Sequence, residues 1–226
     1  MRDALVEPMA TMFEEYRKAL TDWPIVIDDE EDFTFELMTD EGAVIVADRL
    51  GGIRQNAHGE RARIVLESSN LLGASKSEYR PSKALTHWVR HLAHHLAGDP
   101  ITTVIVSKKG GTALKPLDPA MARTLFSQQI KAWSAGMTRP LPVAMETATT
   151  WLKTPAKAQT TYEGNDNVTG EVQQDDCLRR AYPDYADLVA SGEFETLARQ
   201  LVEPLLHAMP VDRPSRRNSA STEGEA

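Results

Sequence analysis

One cysteine, Cys177, among 226 residues leaves no internal disulfide and no cysteine-based zinc site to build. No apolar run approaches the ~20 residues a bilayer-crossing helix needs, and the start lacks the basic, apolar and cleavage regions of a secretory leader. Together these absences lead to the expectation of a reducing, cytoplasmic setting away from membranes. The Asn167-Val168-Thr169 sequon would then be silent, a chance occurrence. Positive charge is also short. The 25 lysines and arginines face 33 aspartates and glutamates, a net charge of −8, whereas a free-standing, non-specific nucleic-acid binder carries a basic excess to neutralise phosphates. Any contact with DNA is therefore expected to be local or shared with partners. The phosphate-gripping pattern GxxxxGK[ST] is missing, which excludes nucleotide hydrolysis by that route.

What the chain does have is 41% hydrophobic content, enough to fill the core of one well-packed domain, or of one domain with a small helical appendage. Met9, Met12, Phe13, Tyr16 and Leu20 recur at helical spacing, so residues 8–20 are expected to form an amphipathic helix with Pro8 in its first turn. The acidic run 28–32 reads as a solvated loop that keeps the next strand from mispairing. Phe33-Thr34-Phe35-Glu36-Leu37 alternates with period two, a turn at 39–42 follows, and 43–47 is apolar, which predicts a hairpin. The polar, glycine-bearing stretch 51–60 is expected to be a loop. It leads to a third strand at 61–66, with Ile64, Val65 and Leu66 suited to burial.

Ser82 after Pro81 is placed to cap a helix that carries Leu85, Trp88, Val89, Leu92 and Leu96 on one face and ends at Gly98. A fourth strand is expected at 101–106. Asp118-Pro119 then supplies a cap and a first-turn proline for a helix through Ala122, Phe126, Ile130 and Trp133, stopped by Gly136. Residues 178–209 read as short helices broken at Pro183 and Gly192, and 210–226 as a tail disordered by composition. The order helix, three strands, helix, strand, helix predicts an α/β fold, with a mixed sheet and a helix on each face.

Two segments carry a family resemblance. Residues 132–143, AWSAGMTRPLPV, and 151–171, WLKTPAKAQTTYEGNDNVTGE, resemble the C-terminal end of RecC, the gamma subunit of exodeoxyribonuclease V, and the resemblance extends over about 8–209. It implies a PD-(D/E)xK nuclease-like core over about 8–136 with a helical extension over about 137–209. RecC-type domains of this fold are catalytically inactive, so the implied role is a scaffold for subunit docking and DNA strand guidance in double-strand break repair and recombination. Whole RecC-type subunits are several times longer, which implies a fragment or a detached form of the module. The implied partners are RecB-like and RecD-like subunits, with DNA inside the complex. ATP and magnesium would be used by those partners, the chain itself holding no cofactor and no metal.

In active members of that fold, an acid on the second strand and an acid-x-Lys on the third hold divalent metal, while the lysine stabilises the charged phosphate. The matching positions here are Asp48, Glu67 and Ser69. A hydroxyl at 69 cannot offset the charge that builds on a pentacoordinate phosphorus, so the three positions read as vestigial. The alternative is an active metal-dependent DNA nuclease that uses Asp48 and Glu67, with Lys76 folding back from a loop that offers it no pre-organisation. His87, His91, His94 and His95 share one helical stripe about 120° from the apolar face by periodicity. Without an HExxH glutamate, a solvated or partner-facing stripe is preferred to a zinc site. Lys108 and Lys109, in a glycine turn with Lys115 nearby, and Arg49 and Arg54 are the candidate DNA-binding residues. Tyr162 to Asn167 reads as a structural turn in which the Tyr162 hydroxyl stays wet. Trp88, Trp133 and Trp151 are expected to anchor the core.

Overall fold

The computed structural model describes residues 3–27, 30–72 and 79–209. Asp28, Asp29, Gly73, Lys76 and the expected tail 210–226 lie outside them. In order the chain forms α1 (Asp3–Asp22), β1 (Ile25–Ile27), β2 (Glu31–Thr39), β3 (Gly42–Leu50), β4 (Ile53–Gln55), β5 (Arg61–Glu67), α2 (Leu85–Ala97), β6 (Ile101–Ser107), β7 (Gly111–Leu114), α3 (Pro119–Gly136) and α4 (Met145–Lys153). Short helical turns continue to residue 208, interrupted near Pro183 and Gly192 as the sequence suggests.

The fold is mixed α/β, but its strands are arranged differently from a simple meander. Five strands, not three, separate the first two helices, and the 33–47 hairpin stands apart as its own two-stranded sheet, β2 with β3. The central sheet has five strands in the order β1-β4-β5-β6-β7, where β5 and β6 run parallel and the other pairs antiparallel. The stretch expected to be loop at 51–60 therefore contributes β4. The helix α2 is the crossover that a parallel β5 and β6 pair requires. It packs on β6 with one side and on β2 and α3 with the other, so a single helix separates the hairpin from the central sheet.

Alternation explains the hairpin. Phe33 and Phe35 point inward and are buried, and both meet Phe126 of α3 edge-on, with ring centroids 5.7 and 5.0 Å away. Met38 and Ile45 point outward and are exposed. At the turn, buried Thr39 shares a 3.0 Å hydrogen bond with buried Ser134 of α3, which ties the hairpin tip to that helix. Asp118 accepts from the amides of Ala120 and Met121 and caps α3 as expected. Ser82 does not cap α2; its hydroxyl donates to Glu146 of α4. Leu66 and Trp133 are exposed rather than buried, and of Trp88, Trp133 and Trp151 only Trp88 is wholly enclosed. The opening helix starts before residue 8, so Pro8 lies beyond its first turn.

Two apolar clusters form. The first joins the hairpin, Trp88 and Leu92 of α2, Ile105 of β6 and Phe126 of α3, and it receives Leu205, Ala208 and Met209 from the far end of the chain. The second gathers Ala148, Tyr162, Val172, Leu188, Phe194 and Val202. Here the 151–171 run proves regular: it begins inside α4, includes a helix at Ala158–Glu163, and closes with a tight hairpin of Gly164–Asn165 on Val168–Thr169. Tyr162 is fully buried, and its hydroxyl donates to the Tyr182 carbonyl at 2.6 Å, so it is not wet. Gly164 has φ +80, and a side chain there would also meet the Val168 carbonyl and the Gly170 amide. The start of α4 has no local side-chain cap. Glu171, from the far end of the run, accepts from the amides of Glu146 and Thr147 and from the Thr147 hydroxyl at 3.0, 2.7 and 2.7 Å.

Candidate functional site

Asp48 and Glu67 stand on different sheets, Asp48 on β3 of the hairpin and Glu67 at the end of β5, and α2 reaches both. His87 Nε2 lies 2.9 Å from Glu67 Oε2. One turn further, Arg90 Nη2 donates to the Arg49 carbonyl and lies 3.8 Å from Asp48 Oδ2. The spacing of three along a helix sets His87 and Arg90 on neighbouring positions of one face, and that face is what fills the space between the two carboxylates.

Glu67 is fully engaged. Its Oε1 accepts from both the amide and the hydroxyl of Ser69, at 2.8 and 2.7 Å, while Oε2 faces His87. Burial alone would raise its pKa, but the Ser69 amide, the Ser69 hydroxyl and His87 together hold the carboxyl below the usual glutamate range. Asp48 is exposed and bonds the following backbone amide through Oδ1. A divalent cation takes several oxygens converging on one point. One carboxylate already has three donors, and the other belongs to a separate sheet. Among the described residues no three of His, Cys, Asp and Glu assemble as a metal site.

The histidine stripe is neither solvated nor outward-facing. His91, His94 and His95 are all buried, and His87 is half-buried. His95 Nδ1 faces the His91 carbonyl at 2.7 Å and its Nε2 accepts from the Leu117 amide at 2.9 Å, so Nδ1 carries the proton. His91 spans the Thr103 hydroxyl at 2.9 Å and the Lys115 carbonyl at 3.1 Å; the carbonyl can only accept, which places the proton on Nε2. Both rings are neutral and satisfied. Burial, then the repulsion His95 would exert once protonated, pushes His91 down to about 3; burial, then Arg63 and Arg90, pushes His94 down to about 4; His95 is lowered by burial as well.

The basic candidates are scattered. Arg49 makes exposed ion pairs with Asp32 and Glu30 at 3.1 and 3.7 Å. Arg54 spends its guanidinium on the carbonyls of Trp23 and Pro24 at 2.5 and 2.9 Å, fastening the end of α1 to β4. Lys109 is exposed and Lys108 half-buried in the turn before β7. That turn is tightly built. The Ser107 hydroxyl meets the carbonyls of Lys109 and Gly110 at 2.8 and 2.7 Å, and a side chain at Gly110, which has φ +82, would strike Leu72. Sequence reasoning missed His87 and Arg90 as the groups that occupy the two carboxylates. Their signal was present in the spacing of three, but only the position of α2 between two sheets gives it meaning.

Among known proteins, the family model of the RecC C-terminal domain matches residues 1–156. The matched part contains both carboxylates and the whole of α2, and it ends inside the 151–171 run. No curated protein matches the chain.

Proposed function

The chain belongs to the RecC C-terminal domain family, and from that premise we propose that it is a non-catalytic scaffold of an exodeoxyribonuclease V complex, with a PD-(D/E)xK nuclease-like core that docks other subunits and guides a DNA strand during double-strand break repair and recombination. The observation that carries the non-catalytic reading is the state of Glu67. Three donors from Ser69 and His87 occupy the carboxylate that an active site would turn toward metal. Asp48, the other metal-binding position of the alternative reading, is likewise met by Arg90. An active site of this class also needs a cation near the transferred phosphate, and Ser69 offers a hydroxyl.

RecB-like and RecD-like subunits are the proposed partners, and ATP and magnesium serve their chemistry. The exposed Arg49 and Lys109, with Lys108, are the basic positions proposed to touch DNA inside the complex; Arg54 contributes by holding β4 in place. The proposed setting is the cytoplasm, and no helix of the described residues is long and apolar enough to cross a membrane. Incubation of the purified chain with end-labelled single- and double-stranded DNA in magnesium or manganese should give no cleavage. Cleavage abolished by Asp48→Ala would establish the nuclease reading instead. Co-expression with RecB-like and RecD-like subunits should yield a complex that survives gel filtration, and elution of the chain by itself would refute the docking role.

A further inference from the structure

Under and along α2 lie three buried nitrogen atoms without a hydrogen-bond partner among the described residues: the donors Nη1 of Arg63 and Nε of Arg90, and Nε2 of His94, which donates in its Nε2–H form. Their positions converge. Arg90 and His94 are four residues apart on α2 and share a face of the helix. Arg63 pairs with Thr103 in the parallel register of β5 and β6, so its side chain stands on the same sheet face as Thr103, and Thr103 is bonded by His91 of α2. Arg63 therefore points at the underside of the helix that carries the other two donors. The three groups also feel one another. Burial and then Arg90 lower Arg63 to about 10, and both arginines act on His94.

On its own this arrangement is unfavourable. Two guanidinium groups and an imidazole that is 4% exposed crowd one place, and buried donors without acceptors forfeit the hydration they had in the unfolded chain. Arg63 makes no ion pair among the described residues. Asp48, whose charge acts to raise His94, approaches Arg90 at Nη2, its Oδ2 3.8 Å away, while Arg90 Nε and Arg63 Nη1 have no acceptor among the described residues. An anion between the three side chains would reverse the sign of each of these terms. Two guanidinium donors and an imidazole able to donate from its Nε2–H form match the several oxygens of a tetrahedral oxyanion better than the two of a carboxylate, and paired arginines are suited to phosphate. A cleft of about 490 Å³ between the hairpin and α2, lined by Phe33, Val46, Asp48, Arg90 and Phe126 among others, brings solvent to the Arg90 edge.

We infer that Arg63, Arg90 and His94 form a binding site for a phosphoryl oxyanion, supplied by a phosphate group of a DNA strand or by free inorganic phosphate. The site stands whether or not the chain docks to motor subunits. Thermal unfolding of the full 226-residue chain in inorganic phosphate, against sodium chloride of equal ionic strength, tests it. At a hundredfold excess over Kd the midpoint should rise by roughly 5–10 °C. Arg63→Met and His94→Gln should each abolish that rise, and Arg63→Met should unfold no earlier than the parent without phosphate, because it removes an unpaired half-buried charge. Should Arg63→Met fail to fold, His94→Gln and the parent's His94 ring signals decide, since bound phosphate must move the titration of His94 upward. A 5′-phosphorylated oligonucleotide that displaces inorganic phosphate identifies DNA as the source, and one that does not identifies the free ion; both outcomes support the site. Equal midpoints in phosphate and chloride, an equal effect of acetate, or a phosphate effect that survives both substitutions would overturn it.

Discussion

Mild acid should weaken this protein well before its carboxylates protonate. The folded pKa values of His91 and His94, about 3 and about 4, lie below the ordinary histidine value of 6.5. The unfolded chain therefore binds protons that the folded one refuses. Stability from the neutral rings is complete above the unfolded value and is lost as pH falls from there toward the folded values. At pH 5 each unfolded histidine gains RT ln(1 + 10^1.5), about 2 kcal/mol, and the folded rings regain almost none of it. The two together cost about 4 kcal/mol between pH 7 and pH 5, and His95, also lowered, adds in the same direction. Against a total stability of about 5–15 kcal/mol this is a large share. Glu67, held below the usual glutamate range, weakens the fold only at still lower pH. Urea unfolding at pH 7, 6 and 5, at fixed ionic strength in buffers free of phosphate, would measure the effect. A midpoint that stays constant across those three values, or a His91 ring that titrates near 6.5 by NMR, would refute the reasoning.

Glu171→Ala should cost about 2 kcal/mol in chemical denaturation, because it removes a charged acceptor from the first amides of α4; a loss under about 0.5 kcal/mol would mean that water caps the helix equally well. Tyr162→Phe should destabilise by about 1–2 kcal/mol, since the Tyr182 carbonyl loses its donor at a buried position, and an unchanged midpoint would show that another donor takes over. Ser69→Lys should leave the chain without DNA cleavage in magnesium or manganese, because Asp48 remains on the hairpin and Glu67 on the central sheet. Cleavage by that variant would show that the two carboxylates converge after all.

Much of this architecture was legible from short-range pattern. The hairpin followed from strict alternation across a two-residue turn, and α3 from Asp118-Pro119 at one end and Gly136 at the other. What pattern could not carry was pairing at a distance. β1 and β4 have three residues each, too few to alternate visibly, and they find each other across the whole hairpin. Without that pair the hairpin reads as part of one meander, which moves Asp48 onto the sheet of Glu67. The histidine stripe failed for a related reason. A helix with one covered side has a wet opposite side, but α2 lies between two layers, so residues far from the apolar stripe are enclosed too. The helices within 145–163 were missed because they are only nine and six residues long, too short for the apolar period of Met145, Ala148, Trp151 and Leu152 to stand out. At the candidate site, the Ser69 substitution was readable from the sequence, whereas the occupation of Glu67 by His87 depends on the placement of α2.

Leu205, Ala208 and Met209 sit in the same cluster as Trp88 and Phe126, although translation delivers them many seconds' worth of chain elongation apart at about 5–20 residues per second. Until the last of them leaves the ribosome, the floor under α2 and α3 lacks a wall and presents apolar surface to whatever is near. A chain cut before residue 205 would lose these contacts for good, leaving Trp88 and Phe126 short of part of their enclosure.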